Sequence, residues 1–258
     1  KMENKKENWK IWDEDREYGE RFYNRIKGDL PEMESSKALA KFLKNEIVEG
    51  DNILDVGCGA GHYLKSLLAE SKTAFNYTGV DATKYYIELA TKAWSDLHNT
   101  NFVIGDIFDL PFEDNSFDIV YCCNVFLHLP SIKKPLQELT RVAKKLVVIR
   151  SLFSDRSFRI QDVHKASNSS ETEEFNSVGE PTEFHYYNIY STDYFKSIAR
   201  NLGIKNEVKF SNDNDYDAAM ISKEFETFTS EDQSHIMGGK QVNGCILQPW
   251  QFAQIKLK

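Results

Sequence analysis

The sequence predicts an α/β protein built on a doubly wound, mostly parallel sheet with helices on both faces. Three observations favour this fold class: short apolar segments alternate with helical patterns between residues 35 and 150, three glycines follow the first such segment, and acidic or amide residues end the strands. Strands and helices that alternate at this spacing require right-handed crossovers and parallel neighbours. We also expect an antiparallel edge hairpin, an N-terminal helical cap and an insertion after the fifth strand.

The N-terminal region is expected to be helical. Residues 9–30 mix aromatic and charged side chains and predict one or two helices ahead of the main fold, so that residues 1–34 form the cap. Ser35 or Ser36 is suited to cap the next helix. The apolar positions of that helix follow a 3.6-residue period and are Ala38, Leu39, Phe42, Leu43 and Ile47.

Five strands are predicted to end at the same edge of the sheet. They cover residues 52–56, 76–81, 101–106, 117–124 and 145–150. The first helix between them has an expected buried face of Tyr63, Leu64, Leu67 and Leu68. Thr83 is suited to cap the second helix. The third, over about residues 135–145, has a proline near its first turn, where proline is favoured.

Regularity ends after the fifth strand. Residues 154–190 are polar and irregular and predict a lid or binding insertion. A helix then runs through "STDYFKSIARNLG" and stops at Gly203, and two strand-like runs, "KNEVKF" and "YDAAMIS", are expected to pair as the antiparallel edge hairpin. We therefore expect the main domain over residues 35–223 and a C-terminal extension over residues 224–258.

Composition narrows the classes of partner. The 258 residues carry 32 basic and 40 acidic side chains, a net charge of −8, which disfavours broad nucleic-acid or anionic-membrane surfaces. No apolar run reaches the roughly 20 residues of a membrane span, and the charged N-terminus lacks a secretory core. The four cysteines form no C-x-x-C pair, so we expect no metal, no disulfide and a cytoplasmic location.

The loop after the first strand, in "ILDVGCGAGHYL", is built to approach a ligand. Its glycines allow positive φ, and the next helix offers its N-terminal amides to an anion. A dinucleotide loop reads G-x-G-x-x-G/A, but here the register is G-x-G-x-G and His62 occupies the third small position. Asp55 precedes the loop, where its charge would oppose a pyrophosphate. A ligand with an ammonium group and no phosphate suits this arrangement better.

Four separated motifs together resemble class I S-adenosylmethionine-dependent methyltransferases, which have a Rossmann-like sheet. They are "LDVGCGAG", the acid in "GVDAT", "GDIFDLPFEDNSFDIVYCCNVFLHLP" and "LQELTRVAKKLVVIR", and they cover residues 51–150 in order. The resemblance implies S-adenosylmethionine as the cofactor and S-adenosylhomocysteine as the product. One departure is the missing glycine pair between the last helix and the fifth strand, which shortens that turn.

The resemblance also implies a set of cofactor contacts. The glycine loop would hold the methionine part, Asp81 the ribose hydroxyls and Asp106 the adenine amine, whereas Asn124 and Val125 would border the sulfonium. Taken alone, Asp106 reads equally as a strand-end turn residue, and Tyr18 as a surface aromatic. The full set is Tyr18, Asp55, Gly57, Cys58, Gly59, Gly61, Asp81, Ala82, Asp106, Ile107, Asn124 and Val125.

Three residues are candidates for the acceptor side of the reaction. By position, His128 is the best general base, with packing of the next helix as its alternative. Tyr187, in the insertion, is a candidate substrate contact or a lid-packing residue. Arg150 ends the fifth strand, where it would hold an anionic substrate or form a salt bridge.

These features predict transfer of a methyl group, most readily to an oxygen of a small molecule. The N-terminal segment "FYNRIKGDLPEMESSKAL" and the tyrosine-rich insertion resemble methyltransferases associated with bacterial surface-polysaccharide biosynthesis, which points to a sugar or a phosphorylated precursor. Two alternatives stay open: a cofactor-binding regulatory protein without transferase activity and, less favoured, a nicotinamide-dependent oxidoreductase. We expect a monomer or a homodimer, with no nucleic-acid or membrane partner.

Overall fold

A computed structural model describes most of the chain. The described residues are 12, 15–163, 175–181, 184–213, 235–237, 240–243, 246–248 and 250–257. The helices are α1 (Arg16–Lys27), α2 (Glu34–Leu43), α3 (Tyr63–Glu70), α4 (Lys84–Ala93), α5 (Lys133–Val142) and α6 (Thr192–Asn201). The strands before α6 are β1 (Asn52–Val56), β2 (Asn76–Asp81), β3 (Thr100–Ile104), β4 (Phe117–Cys123), β5 (Ala143–Ser154), β6 (Gln161–Val163), β7 (Phe184–Tyr186) and β8 (Tyr190–Ser191). Those after it are β9 (Val208–Asn212), β10 (His235–Met237), β11 (Lys240–Asn243), β12 (Ile246–Gln248) and β13 (Trp250–Lys256).

The main sheet confirms the predicted fold class. Its strands lie in the order β3-β2-β1-β4-β5-β13-β9, and β8 pairs with β5. The first five strands are parallel. Strands β2 and β3 lie on one side of β1, whereas β4 and β5 lie on its other side, so the strand order switches between β1 and β4. In such a sheet the ligand site lies beyond the carboxyl ends of the strands at this switch point.

The antiparallel edge is present, but its partners differ from the predicted hairpin. The run "KNEVKF" contributes to β9, which pairs with β13 from the C-terminal region rather than with "YDAAMIS". That second run lies outside the described residues. Strand β13 pairs with β5 as well, so the last strand of the predicted C-terminal extension is part of the main sheet. Strands β10, β11 and β12 form a separate antiparallel sheet.

Helices cover both faces of the sheet because the strands are apolar on both sides. On one face, α5 and α6 bury residues such as Leu136 and Phe195 against the strands. On the other, α2 and α3 bury residues such as Leu39 and Leu64. Helix α1 packs on α4 and on the glycine loop through Phe22.

Some local predictions were wrong. Ser35 and Ser36 do not cap α2, since Met33 is the N-cap and the Ser36 hydroxyl donates to the Met33 carbonyl from inside the first turn. Leu68 is 41% exposed, because the buried stripe of the short helix α3 ends at Leu67. Helix α5 ends at Val142 instead of residue 145, since β5 begins at Ala143. Helix α5 therefore passes directly into β5, without the short turn that the sequence predicts between them.

The insertion after β5 contains structure of its own in its described parts. Strands β6 and β7 pair antiparallel, and β8 runs parallel to the end of β5. Backbone hydrogen bonds between Phe158 and Ile189 close the base of this insertion. It therefore returns to the carboxyl edge of the sheet, beside the end of β4.

Candidate functional site

A cavity lies at the carboxyl ends of β1, β2, β3 and β4. It encloses about 1070 Å³ of space, part of it open to solvent. Three interstrand spacings of about 4.8 Å separate β3 from β4, so the floor is about 14 Å long and suits an elongated ligand. Ten of the predicted site residues line it: Tyr18, Gly57, Gly59, Asp81, Ala82, Asp106, Ile107, Asn124, Val125 and His128.

The glycine loop after β1 forms the centre of this floor. Gly57, Gly59 and Gly61 have φ of 77°, 54° and 78°, which side chains rarely adopt. A Cβ atom on Gly57 would lie 2.3 Å from Cγ2 of Val125, so glycine lets the loop pass directly beneath the turn that follows β4. The backbone of the loop therefore comes close enough to the cavity to contact a ligand.

Asp81, at the end of β2, is fixed by the backbone. Its two carboxylate oxygens accept hydrogen bonds of 2.9 Å from the amides of Gly59 and Thr83. A carboxylate oxygen can accept more than one hydrogen bond, so this carboxylate can also accept from a ligand hydroxyl. Ala82 lines the cavity beside it without a bulky side chain. This pre-arranged acceptor suits a ribose.

Asp106 and Ile107 form the far end of the cavity after β3. Oδ1 of Asp106 accepts a hydrogen bond of 2.9 Å from the amide of Phe108, which is the strand-end turn role that the sequence left open. The same residue lines the cavity, so the turn and a ligand contact do not exclude each other. Ile107 presents a partly buried apolar surface next to it, suited to a flat ring.

Asn124 directly follows β4 and has the left-handed conformation, with a φ of 60°. Its amide is held from both sides, because Nη1 of Arg150 donates to Oδ1 at 2.5 Å and Nδ2 donates to the Tyr63 hydroxyl at 3.2 Å. Val125 follows in the cavity wall. The turn after β4 is thus held rigidly beside the glycine loop.

Helix α1 closes one side of the cavity. Tyr18 lines it and packs on Phe22, with ring centroids 4.5 Å apart. Burial raises the pKa of the Tyr18 phenol, so the hydroxyl stays protonated at neutral pH. Trp12 also lines the cavity, and its ring lies 5.1 Å from Tyr18 and 5.0 Å from His128. Tyr18 is therefore part of a cavity wall and not an isolated surface aromatic.

His128 lies in the 3₁₀ turn Phe126–His128 and lines the cavity. Its Nδ1 lies 2.8 Å from the carbonyl oxygen of Tyr186, which can only accept, so Nδ1 carries the proton. Burial lowers the pKa of His128 to about 4, and the neighbouring His185 acts in the same direction. The imidazole is neutral at physiological pH, and Nε2 is the basic nitrogen.

The insertion holds the turn that carries His128. Asn188 is buried, its amide donates to the Leu127 carbonyl at 2.8 Å, and its Nδ2 donates to the Leu129 carbonyl at 2.9 Å. The Tyr190 hydroxyl donates to the Phe126 carbonyl at 3.1 Å. Local sequence patterns do not reveal this clamp, because its donors and acceptors lie about sixty residues apart.

Three predicted cofactor residues do not line the cavity. Asp55 is 2% exposed and lies within the sheet, where it accepts a hydrogen bond of 2.7 Å from the Tyr77 hydroxyl. Burial raises the pKa of Asp55 to about 7. Cys58 turns its thiol into the interior, and Gly61 packs against Phe102 and Trp94. These three residues pack inside the protein and shape the loop without lining the cavity.

The other two predicted acceptor-side residues do not line the cavity. Arg150 is 1% exposed, does not line the cavity, and forms a salt bridge of 2.6 Å with Asp213, which was the alternative that the sequence left open. Its guanidinium also lies 4.2 Å from the Trp250 ring. Tyr187 lies outside the cavity lining, and its ring packs 5.6 Å from His128. It packs against His128 rather than lining the cavity.

Sequence reasoning missed His62 as a site residue. It lines the cavity, is 7% exposed, and stacks on Phe22 with centroids 4.1 Å apart. The one available signal is its place in the glycine loop, where a dinucleotide-binding loop has a small residue.

The donor set fits S-adenosylmethionine. Two carboxylates face the cavity, and no lysine or arginine lines it among the described residues, so a pyrophosphate would lack a cationic partner whereas a sulfonium would not be repelled. In the described part of the chain, no cluster of three or more His, Cys, Asp or Glu side chains could hold a metal. None of the described helices has the length and apolar character of a membrane span.

Residues 54–149 match the family model of a methyltransferase domain. The demethylmenaquinone methyltransferase of Staphylococcus saprophyticus is 32% identical over 124 residues, which cover 47% of this chain and 53% of that relative. Among the curated relatives, a sterol 24-C-methyltransferase of Aspergillus fumigatus is covered over only 26% of its length. The chain thus spans about half or less of these relatives.

Solved structures agree on the fold. The phosphoethanolamine N-methyltransferase 2 of Haemonchus contortus, in complex with S-adenosyl-L-methionine, has a TM-score of 0.62 at 16% identity and covers 96% of this chain and 59% of its own. An S-adenosylmethionine-dependent methyltransferase from Aquifex aeolicus has a TM-score of 0.51 at 18% identity, with 92% and 98% covered. At these identities the likeness concerns the fold.

Proposed function

We propose that this chain, whose residues 54–149 form a class I S-adenosylmethionine-dependent methyltransferase domain, transfers a methyl group to a hydroxyl of a small molecule with His128 as the general base. When bound, the cofactor supplies an electrophilic sulfonium methyl. The protein then has to align the acceptor with that methyl and remove a proton. Alignment alone contributes several kcal/mol to such a reaction.

The cofactor would span the floor of the cavity from β3 to β4. Asp106 and Ile107 would hold the adenine, and Asp81 the ribose, since these groups line one half of the cavity. The glycine loop, Asn124 and Val125 line the other half and would hold the methionine part and border the sulfonium. Tyr18 would cover the cofactor from α1.

The hydrogen bond between Nδ1 of His128 and the Tyr186 carbonyl, at a residue that lines the cavity, is the observation that carries this proposal. A base must be neutral with its lone pair directed to the reactants, and the Tyr186 carbonyl fixes that tautomer. A pKa of about 4 leaves almost all of the imidazole in the basic form at pH 7. Proton removal by a positioned general base typically contributes about 10²- to 10⁴-fold to the rate of such a reaction.

The nature of the acceptor is a finer part of the proposal. We keep a sugar of a bacterial surface polysaccharide as the first candidate to test. A phosphorylated acceptor is less well supported, because Arg150 pairs with Asp213 inside the fold and is not available to bind a phosphate. The neutral His128 in the cavity lining still supports a hydroxyl group as the methyl acceptor.

The test uses methyl-labelled S-adenosylmethionine and a bacterial extract separated into small-molecule and macromolecular fractions. We expect label in one small metabolite with the wild-type protein and a loss of about 10²-fold or more with His128→Gln. The exposed His98 provides the matched control, and His98→Gln should retain full transfer. Cofactor binding without label in either fraction would favour the binding-only alternative.

A further inference from the structure

His62 is a buried polar side chain without a hydrogen-bond partner at the floor of the cavity. It is 7% exposed, and its Nδ1 is buried and unpaired. Burial lowers the pKa of His62 to about 3, and the charge of Arg25 adds to this effect, so the ring is neutral. A neutral imidazole has one N–H that can donate a hydrogen bond and one bare nitrogen that can accept one.

The position of the ring is fixed by its neighbours. It stacks on Phe22 with an interplanar angle of 4°, and Tyr63 packs on it with centroids 4.9 Å apart. His62 lines the cavity, and its Nδ1 is buried without a partner, so Nε2 is the ring nitrogen available to a ligand and we assign the proton to it. The imidazole ring is therefore held between aromatic neighbours where it lines the cavity.

The surroundings of His62 favour an anion. It is the N-cap residue of α3, an eight-residue helix whose N-terminal amides and dipole attract negative charge. Arg25 contributes a positive potential at the ring. The nearby carboxylate of Asp81 is already bound by the amides of Gly59 and Thr83. A second, ligand-borne carboxylate can thus be accommodated at the His62 end of the loop.

We infer that His62 donates a hydrogen bond through Nε2 to the carboxylate of the cofactor's methionine part. This inference rests on the proposed function. It assigns the residue that distinguishes S-adenosylmethionine and S-adenosylhomocysteine from adenosyl compounds that lack the amino-acid group. It also explains why a histidine occupies a loop position where a small residue would pack more simply.

The experiment compares calorimetric affinities for two ligands, S-adenosylhomocysteine and 5′-methylthioadenosine, which lacks the carboxylate. His62→Phe keeps the stacking on Phe22 and removes the donor, and it should weaken S-adenosylhomocysteine binding about ten- to a hundredfold while leaving methylthioadenosine unchanged. His62→Gln places an amide N–H at a similar reach and should restore most of the affinity.

Two results would overturn the inference. One is unchanged S-adenosylhomocysteine affinity in His62→Phe, and the other is an equal loss for both ligands, which would mark a change in the shape of the cavity. Failure of the wild-type protein to bind either ligand would instead remove the proposed function itself. Thermal unfolding of each variant checks that it is folded.

Discussion

Replacing Asp55 by asparagine should change how stability depends on pH. Asp55 is 2% exposed, and burial raises the pKa of its carboxyl to about 7, with the neighbouring Asp81 charge acting in the same direction. In the unfolded chain an aspartate titrates near about 3.9. Between these values the folded protein binds one more proton than the unfolded chain, so the free energy of unfolding falls as pH rises.

The magnitude follows from the two pKa values. The stabilisation that the protonated Asp55 provides is complete below about pH 4 and is lost progressively up to about pH 7. Between pH 5 and pH 8, this single carboxyl lowers the free energy of unfolding by about 2.5 kcal/mol. Asp55→Asn cannot ionise and keeps an oxygen to accept from Tyr77, so this part of the pH dependence should disappear.

Urea unfolding at pH 5 and pH 8 measures the effect. Relative to the wild type, Asp55→Asn should be more stable at pH 8 than at pH 5 by about 2.5 kcal/mol. The exposed Asp96 offers the matched control, and Asp96→Asn should differ equally from the wild type at both pH values. If Asp55→Asn also shows the same difference at both pH values, the carboxyl titrates normally and this reasoning is refuted.

Two further predictions concern the cavity and the sheet edge. Asp81→Ala should weaken S-adenosylhomocysteine binding by about 1.5–3 kcal/mol, the range for hydrogen bonds to a charged group, and unchanged calorimetric affinity would remove it from the ribose site. Arg150→Met leaves Asp213 buried without its partner and should lower the free energy of unfolding by about 3–5 kcal/mol. As a comparison, Lys256→Met breaks an exposed ion pair with Glu46 and should lower the free energy of unfolding by about 1 kcal/mol or less. Equal losses for Arg150→Met and Lys256→Met in urea unfolding would contradict the buried Arg150–Asp213 salt bridge.

The parts of the fold with local patterns could be predicted from the sequence. The bounds of β1 and β2 match the prediction, because apolar runs ended by Asp or Gly report directly on strands. The pairing of β9 with β13 could not be predicted, since it joins segments about forty residues apart and depends on competition between possible edge strands. Local patterns carry no information on that choice.

In the candidate site, too, features set by topology could be predicted, whereas features set by residues distant in sequence could not. Asp81 and Asp106 lie at strand ends, where topology alone brings them to one edge of the sheet. The unprotonated Nε2 of His128 and the salt bridge of Arg150 depend on Tyr186 and Asp213, which are distant in sequence. The depth at which a strand-end residue lies is likewise set by packing. The sequence therefore predicted which strand ends line the cavity, but not the protonation states of the residues there.

Calorimetric titration of the wild-type protein with S-adenosylhomocysteine, and separately with NADH, tests the central claim that the cavity at the ends of β1 to β4 is an S-adenosylmethionine site. The account predicts one-to-one binding of S-adenosylhomocysteine and no binding of NADH, because the cavity presents two carboxylates and, among the described lining residues, no cation for a pyrophosphate. Binding of NADH without any binding of S-adenosylhomocysteine would contradict the account.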